Sequence, residues 1–235
     1  MPRLDLHLHT TYSDGSQPPA TVLEMAKRAN VTALAITDHD TLDGVPEAID
    51  IGTRLGIEVI PGVEISSRWG ESELHILGYF LDCKDPALHQ RLASLRESRH
   101  TRNPRIIDKL NALGLALTYE EVRELAGTES VGRPHIARVL MEKGYVKSAK
   151  EAFDRYLADG AAAYVPRDLP NPGEAISWIR SAQGIPVLAH PVWIKQKEDG
   201  MQRFCMQLKA EGLLGIEVHY STHHPQQTAQ YLEIA

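Results

Sequence analysis

The sequence predicts an α/β protein: a parallel sheet, open or closed into a barrel, that carries an all-helical insertion. Three observations lead there. Short β-rich runs alternate with helical stretches over much of the chain. Those runs are nearly continuous in apolar residues, as parallel strands covered on both faces are. From 85 to 163 no strand pattern appears, and helix signals follow one another.

The strand candidates are 3–9, 33–37, 58–65, 73–80, 186–190 and 215–220, with helical stretches at 19–29 and 46–55 between the first three. In the middle, Leu88, Leu92, Leu95, Ile106, Leu110 and Leu113 recur at helical intervals. Thr118-Tyr119-Glu120-Glu121 and Ser148-Ala149-Lys150-Glu151 read as capping boxes. Pro134 suits the start of a helix and Gly144 the position just past its end. Asn171-Pro172-Gly173-Glu174 opens a further helix closed by Gly184, and 226–235 reads as another. The expected division is a body of 1–98 and 166–235 with a helical insertion, 99–165, as a cap over substrate.

With 235 residues, 43% apolar and 24% charged, the chain can bury a full core. No apolar run approaches the roughly 20 residues of a membrane span. The start, Met1-Pro2-Arg3-Leu4-Asp5-Leu6-His7, has no signal-peptide stretch, and a cytoplasmic location is expected. Cys83 and Cys205 stand far apart, which suggests neither a disulfide framework nor a thiolate metal site. A net charge of −6 argues against non-specific adhesion to nucleic acid, and no DNA-binding surface is expected. Bound dications would reverse the local sign at a carboxylate-lined site, so an anionic substrate stays open.

The 11 histidines matter by where they fall. In Asp5-Leu6-His7-Leu8-His9, alternate residues of a strand share a face, so His7 and His9 project together and suit one metal ion. Asp14, in Ser13-Asp14-Gly15, can reach the same pocket. The second strand ends Ile36-Thr37-Asp38-His39-Asp40. There His39 is the expected ligand, Asp38 the group that orients a histidine, and Asp40 and Asp43 helix N-caps. Glu64, inside an apolar strand, would be costly to bury unless paired or metal-bound, and its two oxygens can bridge two cations. His75 and His190 lie in or after similarly apolar strands. Each of these three alone reads as readily as a satisfied core residue; several strands delivering His or Glu to one end read as a site at the C-terminal face of a parallel α/β fold.

The D-L-H-x-H-T-x-x-S-D-G opening, T-D-H-D, G-x-E and A-H-P follow one another from residue 5 to 191. In that order they resemble the signatures of the PHP (polymerase and histidinol phosphatase) family. The resemblance implies a distorted (βα)7, TIM-like barrel and up to three divalent metal ions, Mn preferred with Fe or Zn as alternatives. It gives His7, His9 and Glu64 to one metal, Glu64, His75 and His190 to a second, and Asp14 and His39 to a third. The family's closing G-S-D-x-H-type motif is not reached before Leu232-Glu233-Ile234-Ala235, so a truncated C-terminus and two incompletely held metals are expected.

Val131-Gly132-Arg133-Pro134-His135, with Gly215-Ile216-Glu217-Val218-His219-Tyr220, resembles a bacterial subgroup acting on nucleoside 3′,5′-bisphosphates and short RNA 5′ ends. Arg133 and His135 at a helix N-terminus are a natural anion site, though Arg133 could equally pair locally. The implied activity is hydrolysis of phosphate monoesters by a metal-activated hydroxide, with Glu64, His190 and Asp38 as catalytic residues. The partners implied are a small phosphorylated nucleotide, with AMP as a product, or short RNA. A histidinol-phosphate-like phosphatase, an amidohydrolase-type enzyme and a non-catalytic metal-binding domain are the competing readings.

Overall fold

The computed structural model describes residues 3–70, 72–127, 131–194 and 198–235, the side chains at 198 and 199 excepted. Strands β1 (Arg3–Leu8), β2 (Val31–Ile36), β3 (Glu58–Trp69), β4 (Ser72–Tyr79), β5 (Ile185–Leu188) and β6 (Gly215–Ile216) form one curled sheet in sequence order. β1, β2 and β3 are parallel, linked through α1 (Pro19–Arg28) and α2 (Val45–Leu55). Pro19 opens α1 with its fixed φ, and Lys27 and Arg28 meet the negative end of the helix dipole. Gly56, at φ +67°, ends α2 in the left-handed region that a side chain would disfavour. Leu23, Leu34, Ile36, Ala48 and Ile51 form the apolar layer between these helices and the sheet.

The expectation of a parallel sheet fails at β4. β3 runs on to Trp69, and Trp69 pairs with Ser72 in an antiparallel register that extends to Gly62 opposite Tyr79. That turn cannot hold the dozen or so residues a parallel crossover requires. β4 is also antiparallel to β5, and β5 is parallel to β6. Among the described strands, then, β4 alone runs against the rest. The last two strands are also shorter than the sequence suggests.

Helix α3 (Pro86–Ala112) is shared between two cores. Asp85 caps it, its side chain accepting the Leu88 N–H at 2.6 Å. Its Leu88, Leu92 and Leu95 pack with Val63, Ile65, Ile76 and Leu188 of the sheet and with Ile176 and Ile179 of the helix Pro172–Ser181. Its Ile106, Ile107 and Leu110 pack with Val122, Ile136 and Leu140 of α4 (Tyr119–Ala126) and α5 (Arg133–Glu142). The changeover falls between Leu95 and Ile106. Each such leucine contributes about 1.5–3 kcal/mol when fully buried, so neither half of α3 is dispensable. The capping box of Thr118 and Glu121 forms as the sequence indicates. The chain continues through α6 (Ala149–Ala152), a π-helical turn (Phe153–Leu157), α7 (Pro172–Ser181), α8 (Glu198–Ala210) and α9 (Pro225–Ile234). No described helix is long and apolar enough to cross a membrane.

Asp40 and Asp43 are not helix caps. The N-cap of α2 is Gly44, with no side-chain bond. Asp40 is fully buried at φ +56° and accepts from Ser66 N at 2.8 Å and from Arg99 Nη2 at 2.7 Å, with Arg167 Nη2 at 3.4 Å. Asp43 donates its backbone N–H to Thr41 Oγ1 at 3.2 Å. The capping expectation fails because the arginines that claim Asp40 lie 59 and 127 residues along the chain.

Candidate metal centre

The sheet gathers five imidazoles around the carboxylate of Glu64, which is 1% exposed. Its Oε2 lies 3.3 Å from His7 Nε2, 3.1 Å from His9 Nε2 and 3.1 Å from His39 Nδ1. Its Oε1 lies 2.9 Å from His75 Nδ1 and 2.7 Å from His190 Nε2. Asp14 closes the group, 3.5 Å from His9 Nδ1 and 3.7 Å from His39 Nε2.

Local structure explains the convergence. His7 and His9 sit two apart at the end of β1, so the pleat turns both the same way. His39 follows β2 and is paired with Glu64 of β3 by a parallel β-bridge. His75 stands opposite Ser66 in the first half of β4. Because β4 is reversed, that half lies at the same edge as the C-terminal ends of the other strands. His190 follows β5 at φ +23°, a strained value for a residue with a Cβ.

Hydrogen-bond direction shows what this arrangement calls for. Ser13 Oγ donates its one proton to Asp38 Oδ1 at 2.5 Å, so toward His9 Nδ1, at 3.2 Å, it offers a lone pair. His9 Nδ1 is therefore the protonated nitrogen, and the Nε2 lone pair faces the Glu64 carboxylate, itself an acceptor. His39 Nδ1 is buried with no hydrogen-bond partner although Oε2 lies 3.1 Å away. Acceptor facing acceptor needs a shared cation, either a proton or a metal ion. Neutral imidazole and carboxylate donors suit a divalent transition metal, so the residues present fit such an ion. Among the described residues, two groups bring their ligand atoms within 4.8 Å of one another: His7, Glu64 and His190, and His9, His39 and Glu64. Glu64 Oε2 also lies near both His7 and His9, and Oε1 near both His75 and His190, the sets that the sequence resemblance gave to its first two metals.

The carboxylates and burial set the protonation of the imidazoles in opposite directions. Burial opposes charge on His7 and His75, but Glu64 outweighs it, aided by Glu217 at His7 and by Glu73 at His75. His7 is pushed up to about 10 and His75 to about 9. At His39 burial wins over Glu64 and Asp14, and its pKa falls to about 3. Burial also opposes the charge on Glu64, yet the protonated His75 and His7 and the bond from His190 hold its carboxyl well below the usual range.

Asp38 touches no imidazole. It accepts from Thr10 N and Thr10 Oγ1, both at 2.7 Å, and from Ser13 Oγ, so it fixes the loop after β1 and reaches His9 through Ser13. Arg133 opens α5; its Nη2 donates to Glu73 Oε2 at 2.9 Å and its Nη1 to Asp159 Oδ1 at 3.3 Å and Leu157 O at 3.2 Å. His135 Nδ1 accepts the Gly132 N–H at 2.9 Å, which leaves Nε2 as its donor; burial lowers its pKa and favours the neutral ring.

Two features were not read from the sequence. One is the buried set of Arg99, Arg102 and Arg167 around Asp40 and Glu73, which no local pattern announces. The other is Glu217, whose Oε1 is 2.9 Å from His7 Nδ1 and whose Oε2 accepts the His190 N–H at 2.7 Å. A signal for Glu217 existed: Gly215-Ile216-Glu217 repeats the Gly62-Val63-Glu64 pattern of an acid closing a short apolar run.

Comparison with known proteins agrees with this geometry. The PHP domain family matches residues 5–161. A 3′,5′-nucleoside bisphosphate phosphatase of Chromobacterium violaceum is 35% identical over 224 residues, covering 95% of this chain and 79% of that protein. The 5′-3′ exoribonuclease Rnm of Salmonella typhimurium is 37% identical over 222 residues, covering 94% of this chain and 72% of the relative. The crystal structure of a protein from Bifidobacterium adolescentis, described as a metal-dependent phosphoesterase, superposes with a TM-score of 0.88 at 28% identity, covering 100% of this chain and 83% of the other. With a histidine and carboxylate cluster fit for divalent cations and a family match spanning most of the chain, this protein belongs to the PHP domain family and is a metal-dependent phosphoesterase, a hydrolase of phosphoric esters.

Proposed function

We propose that this phosphoesterase removes phosphate from nucleoside 3′,5′-bisphosphates and acts on the 5′ ends of short RNA. The observation that carries this reading is the position of a cation-bearing helix N-terminus against the metal centre. A Cβ placed on Gly132, the residue capping α5, would lie 4.0 Å from Asp14 Cβ and 3.6 Å from Arg99 Nη1. A substrate phosphate at the cluster would then have a second anion site beside it, supplied by Arg133 and His135. The three hydrogen bonds that Arg133 makes to Glu73, Asp159 and Leu157 use three of its five N–H groups. The relatives named above as bisphosphate phosphatase and exoribonuclease support a substrate with more than one phosphate.

In this reading His7, His9, Asp14, His39, Glu64, His75 and His190 hold up to three divalent ions, Mn before Fe or Zn. Such ions lower the pKa of water, neutralise phosphoryl oxygens and stabilise a departing alkoxide. Glu64 bridges the imidazoles through both oxygens. His190, at the strained end of β5, contributes from the opposite side to His9 and His39. Asp38 keeps the loop of Thr10 and Ser13 in place. Arg133 and His135 orient the phosphate that is not hydrolysed.

The test is phosphate release by the Mn-loaded protein from adenosine 3′,5′-bisphosphate, AMP and histidinol phosphate, alongside cleavage of a 5′-phosphorylated pentanucleotide. Preference for the bisphosphate and the RNA is expected. Faster turnover of histidinol phosphate would replace this substrate assignment.

A further inference from the structure

We infer that Glu217 is a positioning residue that orients His7 and His190 together, so that one three-residue metal group depends on it and the other does not. The inference rests on the reading that the histidine cluster binds divalent cations.

Glu217 follows β6, and its backbone N–H donates to Leu188 O at 2.8 Å, extending the β5–β6 ladder by one step. This places its side chain between the first and the fifth strands of the sheet. The carboxylate is 11% exposed and is an acceptor only. Its Oε1 therefore requires the proton of His7 on Nδ1, at 2.9 Å, and leaves the Nε2 lone pair facing Glu64 Oε2 at 3.3 Å. Its Oε2 takes the backbone N–H of His190 at 2.7 Å. His190 has φ +23° and ψ 64°, a conformation that costs on the order of 1–3 kcal/mol for a residue with a side chain. A short bond from that N–H to a charged acceptor is the kind that holds such a residue in place. One carboxylate thus fixes the tautomer of one imidazole and the backbone from which the other projects.

His9 is held by a separate chain. Asp38 orients Ser13, and Ser13 Oγ faces His9 Nδ1. Glu217 supports the group of His7, Glu64 and His190, while Asp38 and Ser13 support that of His9, His39 and Glu64. The two groups share Glu64 and little else, so damage to one support should appear in one class of ion.

The experiment is calorimetric titration of Mn into the chelator-stripped protein and its Glu217→Gln variant, with circular dichroism as the check on folding. A glutamine of the same size can accept from only one of the two partners and presents an NH2 to the other. Loss of a supporting hydrogen bond to a metal-binding histidine costs about 10- to 100-fold in affinity. One class of ion should weaken by that factor, and the remaining class should bind as in the wild type. In a His7→Ala background the same change should cost less than it does alone, because the two act through a shared contact. Uniform weakening of all ions, no weakening, or full additivity with His7→Ala would each overturn the inference. A wild-type protein that takes up no Mn, Zn or Fe would instead sink the metal reading itself.

Discussion

Glu64 and His39 meet twice, once through the main chain and once through their side chains. Their backbones form a parallel β-bridge, with Glu64 N donating to Asp38 O at 3.3 Å and Asp40 N to Glu64 O at 3.0 Å. Above that bridge His39 Nδ1 lies 3.1 Å from Glu64 Oε2. Backbone pairing therefore sets the spacing of the central carboxylate and one of its imidazoles, so this part of the centre is organised before an ion arrives.

Removing the carboxylate should be far worse than removing a nearby acid. Glu64→Gln should lower kcat/KM for phosphate release by about a thousandfold or more, some 4 kcal/mol, since it withdraws charge from every neighbouring imidazole at once. Asp43→Ala should leave it nearly unchanged, because that side chain has no part in the cluster. Comparable losses in the two variants would show that Glu64 has no bridging role.

Arg133→Ala separates substrate contact from fold support. A charge-assisted hydrogen bond is worth about 1.5–3 kcal/mol, so kcat/KM for a 3′,5′-bisphosphate should drop roughly tenfold to a hundredfold. A 5′-monophosphate, having no second phosphate, should be little affected. Because Arg133 also pairs with Glu73 and Asp159, the alternative is a general loss. Equal falls on both substrates would assign the residue to the fold.

Asp40 gives a pH-dependent stability. Burial favours its neutral form, but Arg99, Arg167 and the neighbouring donors outweigh it and hold the carboxyl far below its ordinary 3.8. A carboxyl depressed on folding contributes stability that is complete above its unfolded pKa and is lost as pH falls through the folded value. Asp40→Asn should destabilise the protein by about 3–5 kcal/mol at neutral pH, as breaking a buried pair does. In urea unfolding the gap from the wild type should be constant between pH 7 and 5 and shrink below about 3.8. A gap independent of pH down to 3 would mean that packing, rather than charge, sets Asp40's contribution.

Metal uptake should release protons. In the ion-free protein the carboxylates hold His7 at about 10 and His75 at about 9, so at neutral pH both carry a proton that a metal must displace. Affinity for Mn should rise with pH from 6 to 8, and titrations in buffers of different ionisation enthalpy should show net proton release. Affinity that does not vary with pH would exclude both histidines as ligands.

Much of the centre was legible in the sequence, because strands of period two and apolar runs ending in polar groups carry local information. His7 and His9 share a face by alternation alone, and Glu64 is conspicuous as an acid in an apolar strand. The capping box at Thr118 and Glu121 was readable for the same reason: its partners are three residues apart. What the sequence could not show depends on contacts between distant segments. The reversal of β4 follows from where β3 ends, and pairing with Ser72–Tyr79 decided that end. Asp40 looked like a helix cap until Arg99 and Arg167 arrived from other elements, and Glu217 lies 210 residues from the imidazole it orients. A buried carboxylate is defined by the donors that surround it, and those donors are assembled only when the sheet closes over α3.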